Sequence, residues 1–177
     1  MYLFELFTNP VEWEVMKDNG SNIVAVFNID EKVVEVYLSL NDGYVLRLEN
    51  PDEEFRNIFD VHFATDYYSD EDGFRRSSAD WVTGSGDALQ VFSTVIEIIQ
   101  TTVKKKNIQH LYFTADNNEP SRVKLYNRLA KAFAKDGWRY IDDRELKARS
   151  STGGILDPSE DNEFTSYFLT RQHPHEK

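Results

Sequence analysis

The sequence predicts an α+β fold, a mixed and mostly antiparallel twisted sheet flanked by helices. Three observations lead there. Short runs in which apolar and polar residues alternate follow one another up to about residue 64. After residue 87 the apolar period lengthens to three and four residues in two long segments. Strand patterning returns between those segments and after them, so helices and strands interleave late in the chain.

The elements follow in order. Val11-Glu12-Trp13-Glu14-Val15 alternates apolar and acidic, as a half-buried strand does. Asp18-Asn19-Gly20-Ser21 is a hairpin turn into a strand over Asn22–Phe27. Lys32–Leu38 and Tyr44–Leu48 follow, each after a turn signal, and Phe59–Ala64 alternates again. Pro51-Asp52-Glu53-Glu54 between them reads as a surface loop or short helix start. The polar stretch from Asp66 to Ser78 reads as a mobile loop, and strand patterning resumes at Ala79–Val82.

A helix then carries Ala88, Val91, Phe92, Val95, Ile99 and Val103 on one face. Ser85 or Asp87 caps it, and Lys104-Lys105-Lys106 sits where the helix dipole favours cations. Gln109–Thr114 is a strand. A second helix from Pro120 buries Val123, Tyr126, Leu129, Ala130 and Phe133, and Gly137 ends it. Trp138–Ile141 is a strand, 142–164 a long polar loop, 165–171 a closing strand and 172–177 a tail. The whole of 1–177 is expected to form one domain.

Composition narrows the classes. A hydrophobic share of 40% with 14% aromatics is that of a globular chain. Without cysteine there is no disulfide, thiolate nucleophile or cysteine-bound zinc. The start, Met1-Tyr2-Leu3-Phe4-Glu5, lacks the look of a secretory signal, and no run approaches the ~18 apolar residues of a membrane span. These features lead to the expectation of a cytoplasmic protein that does not engage a membrane.

Charge is divided unevenly. Residues 1–80 hold 18 acidic and 6 basic side chains, net −12, whereas 81–177 hold 13 and 14, net +1. An anionic ligand is repelled by the first half and tolerated by the second. Nucleic-acid binding is not expected, since phosphate neutralisation needs a strongly basic surface. The plainer reading is that the acids keep the surface soluble.

Two features carry chemistry. Val82-Thr83-Gly84-Ser85-Gly86-Asp87-Ala88 is a glycine turn opening a helix, where small residues let backbone N–H groups approach an anion at the positive helix end. Its bland alternative is an ordinary strand-to-helix turn. Tyr126 lies on the apolar face of the next helix, where packing is the default. A tyrosine of pKa ~10 is also able to protonate a leaving thiolate.

The segment from Trp81 to Tyr140 resembles the GNAT superfamily of N-acyltransferases, and in look the small GNAT-like proteins of bacteriophages. The resemblance rests on the glycine turn, Val91-Phe92-Ser93-Thr94-Val95, and Ser121-Arg122-Val123-Lys124-Leu125-Tyr126. It implies that 81–141 binds acetyl-CoA or another acyl-CoA, with Val82, Thr83, Gly84, Ser85, Gly86, Asp87 and Ala88 around the pyrophosphate. Ser121 and Arg122 would contact the cofactor too, with Lys124 and Arg128 near its phosphates. Tyr126 would be the general acid. Trp81 stands where the superfamily has Arg or Gln, and Gly137-Trp138 comes later than the family's Gly-Phe.

The implied reaction is acyl transfer to an amine, and the acidic first half favours a cationic acceptor. The alternative is an inactive GNAT-like phage protein that occupies a basic surface of a host protein, in the host cytoplasm. His62, Asp60 and Asp80 are the available general bases. No metal site is expected: His173 and His175 lack a third ligand, and Asp70-Glu71-Asp72 lacks calcium-loop spacing.

Overall fold

A computed structural model describes residues 10–29, 32–41, 44–49, 52–65, 68–69, 75–76, 88–116, 120–142, 146–150, 155–156 and 164–171. Their elements are β1 (Trp13–Asp18), β2 (Asn22–Ile29), β3 (Lys32–Asn41), β4 (Tyr44–Glu49), β5 (Asp52–Phe55), β6 (Ile58–Thr65), β7 (Tyr68–Ser69) and β8 (Arg75–Arg76). Then come α1 (Ala88–Lys106), β9 (His110–Asp116), α2 (Pro120–Lys135), β10 (Trp138–Asp142), β11 (Leu146–Ser150), β12 (Ile155–Leu156) and β13 (Phe164–Arg171). This is an α+β fold, as expected, and every strand pair with a described register is antiparallel. The chain divides into two compact units, 1–39 with 61–106 and 40–60 with 107–177.

In the first unit the strands run in the order β1-β2-β3-β6. The expected hairpin turn joins β1 to β2. Asn19 Oδ1 accepts the N–H groups of Ser21 (3.1 Å) and Asn22 (2.7 Å), and Gly20 adopts φ 87°, which a side chain would strain. Ile23, Ala25, Phe27 and Ile29 of β2 and Val34, Val36 and Leu38 of β3 are buried, so alternation in sequence became alternation between faces.

Helix α1 is covered more widely than one apolar stripe implies, since every residue from Val91 to Ile96 is buried. Thr94 and Thr102 tolerate this because each hydroxyl donates 2.7 Å to the carbonyl one turn back, Gln90 and Ile98. Three polar contacts bind the N-terminal segment along this helix. Val11 N–H donates to Thr94 Oγ1 at 3.0 Å, Trp13 Nε1 to Glu97 Oε2 at 2.9 Å, and Lys106 Nζ pairs with Asp18 at 2.5 Å.

In the second unit β13 lies between β9 and β10, with Tyr167 opposite Phe113 on one side and Asp142 on the other. Helix α2 packs on these three strands through Tyr126, Leu129, Ala130, Ala132 and Phe133. Gly137 ends it at φ 94°, with its N–H 3.3 Å from Ala134 O. A four-stranded sheet, β12-β11-β4-β5, belongs to the same unit. Leu46, Leu48, Phe55, Ile58, Ile141 and Phe168 form one buried cluster there.

Three expectations need correcting. Asp52–Phe55 is a strand rather than a loop or helix start, because it pairs with β4 from Leu46↔Phe55 to Glu49↔Asp52. The span 142–164 contains β11, held between β4 and β12. The 66–78 segment contains the short β7–β8 pair. In each case backbone pairing with a distant or neighbouring strand supplied what side-chain composition did not advertise.

Candidate functional site

Helix α1 begins at Ala88, the last residue of the glycine-containing segment 82–88 in the sequence, and continues for 19 residues to the three lysines of its last turn. Val82, Thr83, Gly84, Ser85, Gly86 and Asp87 themselves lie outside the described residues, as do Trp81 and Asp80. The side chain of Ala88 does too. Ser121 and Arg122 fall in the first turn of α2, with side chains outside the described set. Lys124 and Arg128 are exposed on that helix.

Tyr126 is fully buried, at 0% exposure. Its ring centroid lies 5.6 Å from that of Phe113 on β9 and 6.4 Å from that of Tyr167 on β13, the second contact edge-on. Tyr167 is itself fixed, its hydroxyl donating 3.3 Å to Val123 O on α2. The i, i+3 and i+4 apolar spacing of α2 turned Tyr126 onto this face, as the sequence predicted.

The candidate bases separate cleanly. Asp60 is half-buried on β6, and Asn41 Nδ2 donates 3.1 Å to its Oδ2. Burial holds its carboxyl above the ordinary 3.8, and the Asn41 hydrogen bond opposes that rise. His62 is exposed, between buried Val61 and Phe63, and its ring is 6.0 Å from that of Tyr37. His110 is held by packing: Nδ1 is 2.9 Å from Thr170 Oγ1, and the ring contacts Phe55 and Phe168.

Sequence reasoning missed the neighbours of these groups. Asn41 escaped notice as a turn residue, and Glu35, which accepts the Tyr37 hydroxyl, passed as one acid among many. The signal was available in β3, where Glu35, Tyr37, Ser39 and Asn41 alternate with buried Val34, Val36 and Leu38.

Among the described residues no group of three or more His, Asp or Glu side chains is placed to hold a metal ion. Nor is any described helix long and apolar enough to cross a membrane.

No protein-family model matches the chain, and no curated protein does. Among solved structures it is similar to the acetyltransferase of the GNAT family from Streptococcus pneumoniae, with 12% identity and a TM-score of 0.38. The match covers 86% of this chain and 66% of that one, so this chain spans just under two thirds of its length. A likeness of that size establishes neither relationship nor activity.

Proposed function

We propose that the chain is an acyl-CoA-dependent N-acyltransferase that moves an acyl group to a cationic amine. The observation that carries this reading is that a 19-residue helix starts at Ala88, immediately after the sequence segment 82–87 with its glycines at 84 and 86. Unpaired amides at a helix start, together with the helix dipole, would favour a pyrophosphate. Val82 to Ala88 would hold it, with Ser121 and Arg122 at the start of α2 as further contacts.

In this scheme a neutral amine attacks the thioester carbonyl, the carbon–sulfur bond breaks, and Tyr126 gives its proton to the departing thiolate. Asp60 is our choice as the base that takes the amine proton, because partial burial raises its proton affinity. The acids of residues 1–80 would draw the cationic acceptor inward. Calorimetry with acetyl-CoA and longer acyl-CoAs tests the proposal. Micromolar binding that is lost in Gly86→Leu supports it, and the absence of heat with every acyl-CoA removes it.

The burial of Tyr126 favours a second reading, in which the chain keeps the architecture without catalysis and binds a basic protein surface. Trp81 at the Arg/Gln position points the same way. Gly86→Leu separates the two, since a binding module would keep its partner.

A further inference from the structure

β1 closes the strand order β1-β2-β3-β6 of the first unit, and among the described residues β2 is its one strand neighbour. Its outer edge offers backbone N–H and C=O groups that another strand is able to pair. The strand is also open to solvent. Every residue from Glu14 to Asp18 is exposed, including the two apolar ones, Val15 at 45% and Met16 at 67%. Val15 shares the face of Trp13, whose indole reaches Glu97 on α1, so the helix leaves even that side of Val15 uncovered. The chain enters β1 from the helix, since Val11 N–H donates to Thr94 Oγ1.

A bulge sets the chemistry of this edge. Val15 is opposite Ala25 and Lys17 is opposite Val24, so Met16 is an extra residue in β1. Positions 14 and 17 would point to opposite faces of a regular strand. With the extra residue between them, Glu14, opposite Val26, and Lys17, opposite Val24, share the face turned from α1. Trp13 and Asp18 share the other face, where they bond to Glu97 and Lys106 of the helix. Glu14-Val15-Met16-Lys17 therefore reads acid, apolar, apolar, base, a run that complements itself when reversed.

We propose that β1 pairs antiparallel with β1 of a second copy of this chain, about a two-fold axis between Val15 and Met16. Glu14 of each copy then lies opposite Lys17 of the other, and Val15 opposite Met16, so every contact occurs twice. Because both strands carry the bulge, opposed residues fall on the same face, with the charged pairs at about 5 Å between Cβ atoms. An edge lysine and a bulge deter an unlike strand. The acid that answers Lys17 stands in this same strand at the matching distance, which selects another copy as the partner. One strand pair buries less than the roughly 1,200 Å² of a standard interface, so Kd is expected on the order of 100 µM. The inference uses the first unit alone and is independent of acyl transfer.

Sedimentation equilibrium of the full chain from about 10 µM to about 1 mM tests it, and a monomer–dimer equilibrium is the expected result. Glu14→Lys and Lys17→Glu should each weaken the dimer about tenfold, since each sets like charges opposite one another twice. For Glu14→Lys this loss runs against bulk repulsion, because the change reduces the net charge of −11 by two. Glu54→Lys, in the other unit, changes the net charge equally and should not weaken the dimer. Mixing the two single variants should restore association, as every lysine then meets a glutamate. The double exchange Glu14→Lys/Lys17→Glu should restore it too, and a misfolded variant does neither. A dimer that survives Glu14→Lys, or a mixture no more associated than its parts, overturns the proposal. A chain that stays monomeric at about 1 mM also overturns it and leaves the edge to an unlike strand.

Discussion

Arg139 on β10 reaches both carboxylate oxygens of Glu53 on β5 with one guanidinium nitrogen, at 2.9 and 3.1 Å. The pair joins segments 86 residues apart and is about one third exposed at each end. Solvent screening therefore limits its worth to roughly 1 kcal/mol or less. A double-mutant cycle of Arg139→Ala and Glu53→Ala by urea denaturation should return a coupling of that size. A coupling of several kcal/mol would show that water is excluded from the pair.

Contacts along α1 should matter more. Glu97→Ala removes the acceptor of the Trp13 indole and is expected to cost about 1–2 kcal/mol, the range for a partly buried hydrogen bond to a charged group. Trp13→Phe tests the same bond from the other side. Chemical denaturation of both variants and the double variant should show strong non-additivity.

Tyr126→Phe keeps the ring that packs on Phe113 and Tyr167 and deletes only the hydroxyl. With Tyr126 as general acid, kcat should fall by about 10²-fold or more while the circular dichroism spectrum stays the same. Retention of the full rate would leave Tyr126 as a core residue and return the search for the acid to other groups.

Asp60 gives a pH dependence with a definite sign. Between 3.8 and its raised value in the folded chain, the folded state holds a proton that the unfolded state has released. Stability from this group therefore declines as pH rises through that window. Asp60→Asn should remove the decline and raise the melting temperature at neutral pH. Asp18 acts in the opposite sense. Its hydrogen bond from Lys106, then that from the Gly20 N–H, lower its pKa, so its contribution is lost as pH falls below 3.8. Thermal melts of Asp60→Asn from pH 4 to 8 that parallel the parent would refute the assignment.

How much of this was legible beforehand depended on local pattern. The β1–β2 turn announced itself through Asp18-Asn19-Gly20, and both helices through their apolar spacing. Strands β5 and β11 did not: Asp52-Glu53-Glu54-Phe55 and Leu46's distant partner segment 146–150 are rich in charge. Their structure comes from pairing with β4, which for β11 is about a hundred residues away and for β5 is the neighbouring strand, whose pairing the charged run 52–54 masks. The full enclosure of Val91–Ile96 was equally hidden, since the apolar stripe of Ala88, Val91, Phe92, Val95, Ile99 and Val103 does not include Ser93 and Thr94. At the candidate site, the place of Tyr126 on α2 was readable from spacing. The Asn41–Asp60 and Glu35–Tyr37 pairs depended on strand faces that the sequence left open.

Trp13, bonded to Glu97, and Trp138 at the start of β10 also give the molecule a pair of optical gauges. Trp13, half-buried and bonded to a carboxylate, belongs to one unit, and Trp138, edge-on to Phe133 at 5.6 Å, belongs to the other. With Trp81 replaced by phenylalanine, fluorescence from variants that retain one gauge at a time would follow each half separately. Coincident melting curves would mean that the halves lose their structure in a single event, and staggered ones that each stands by itself.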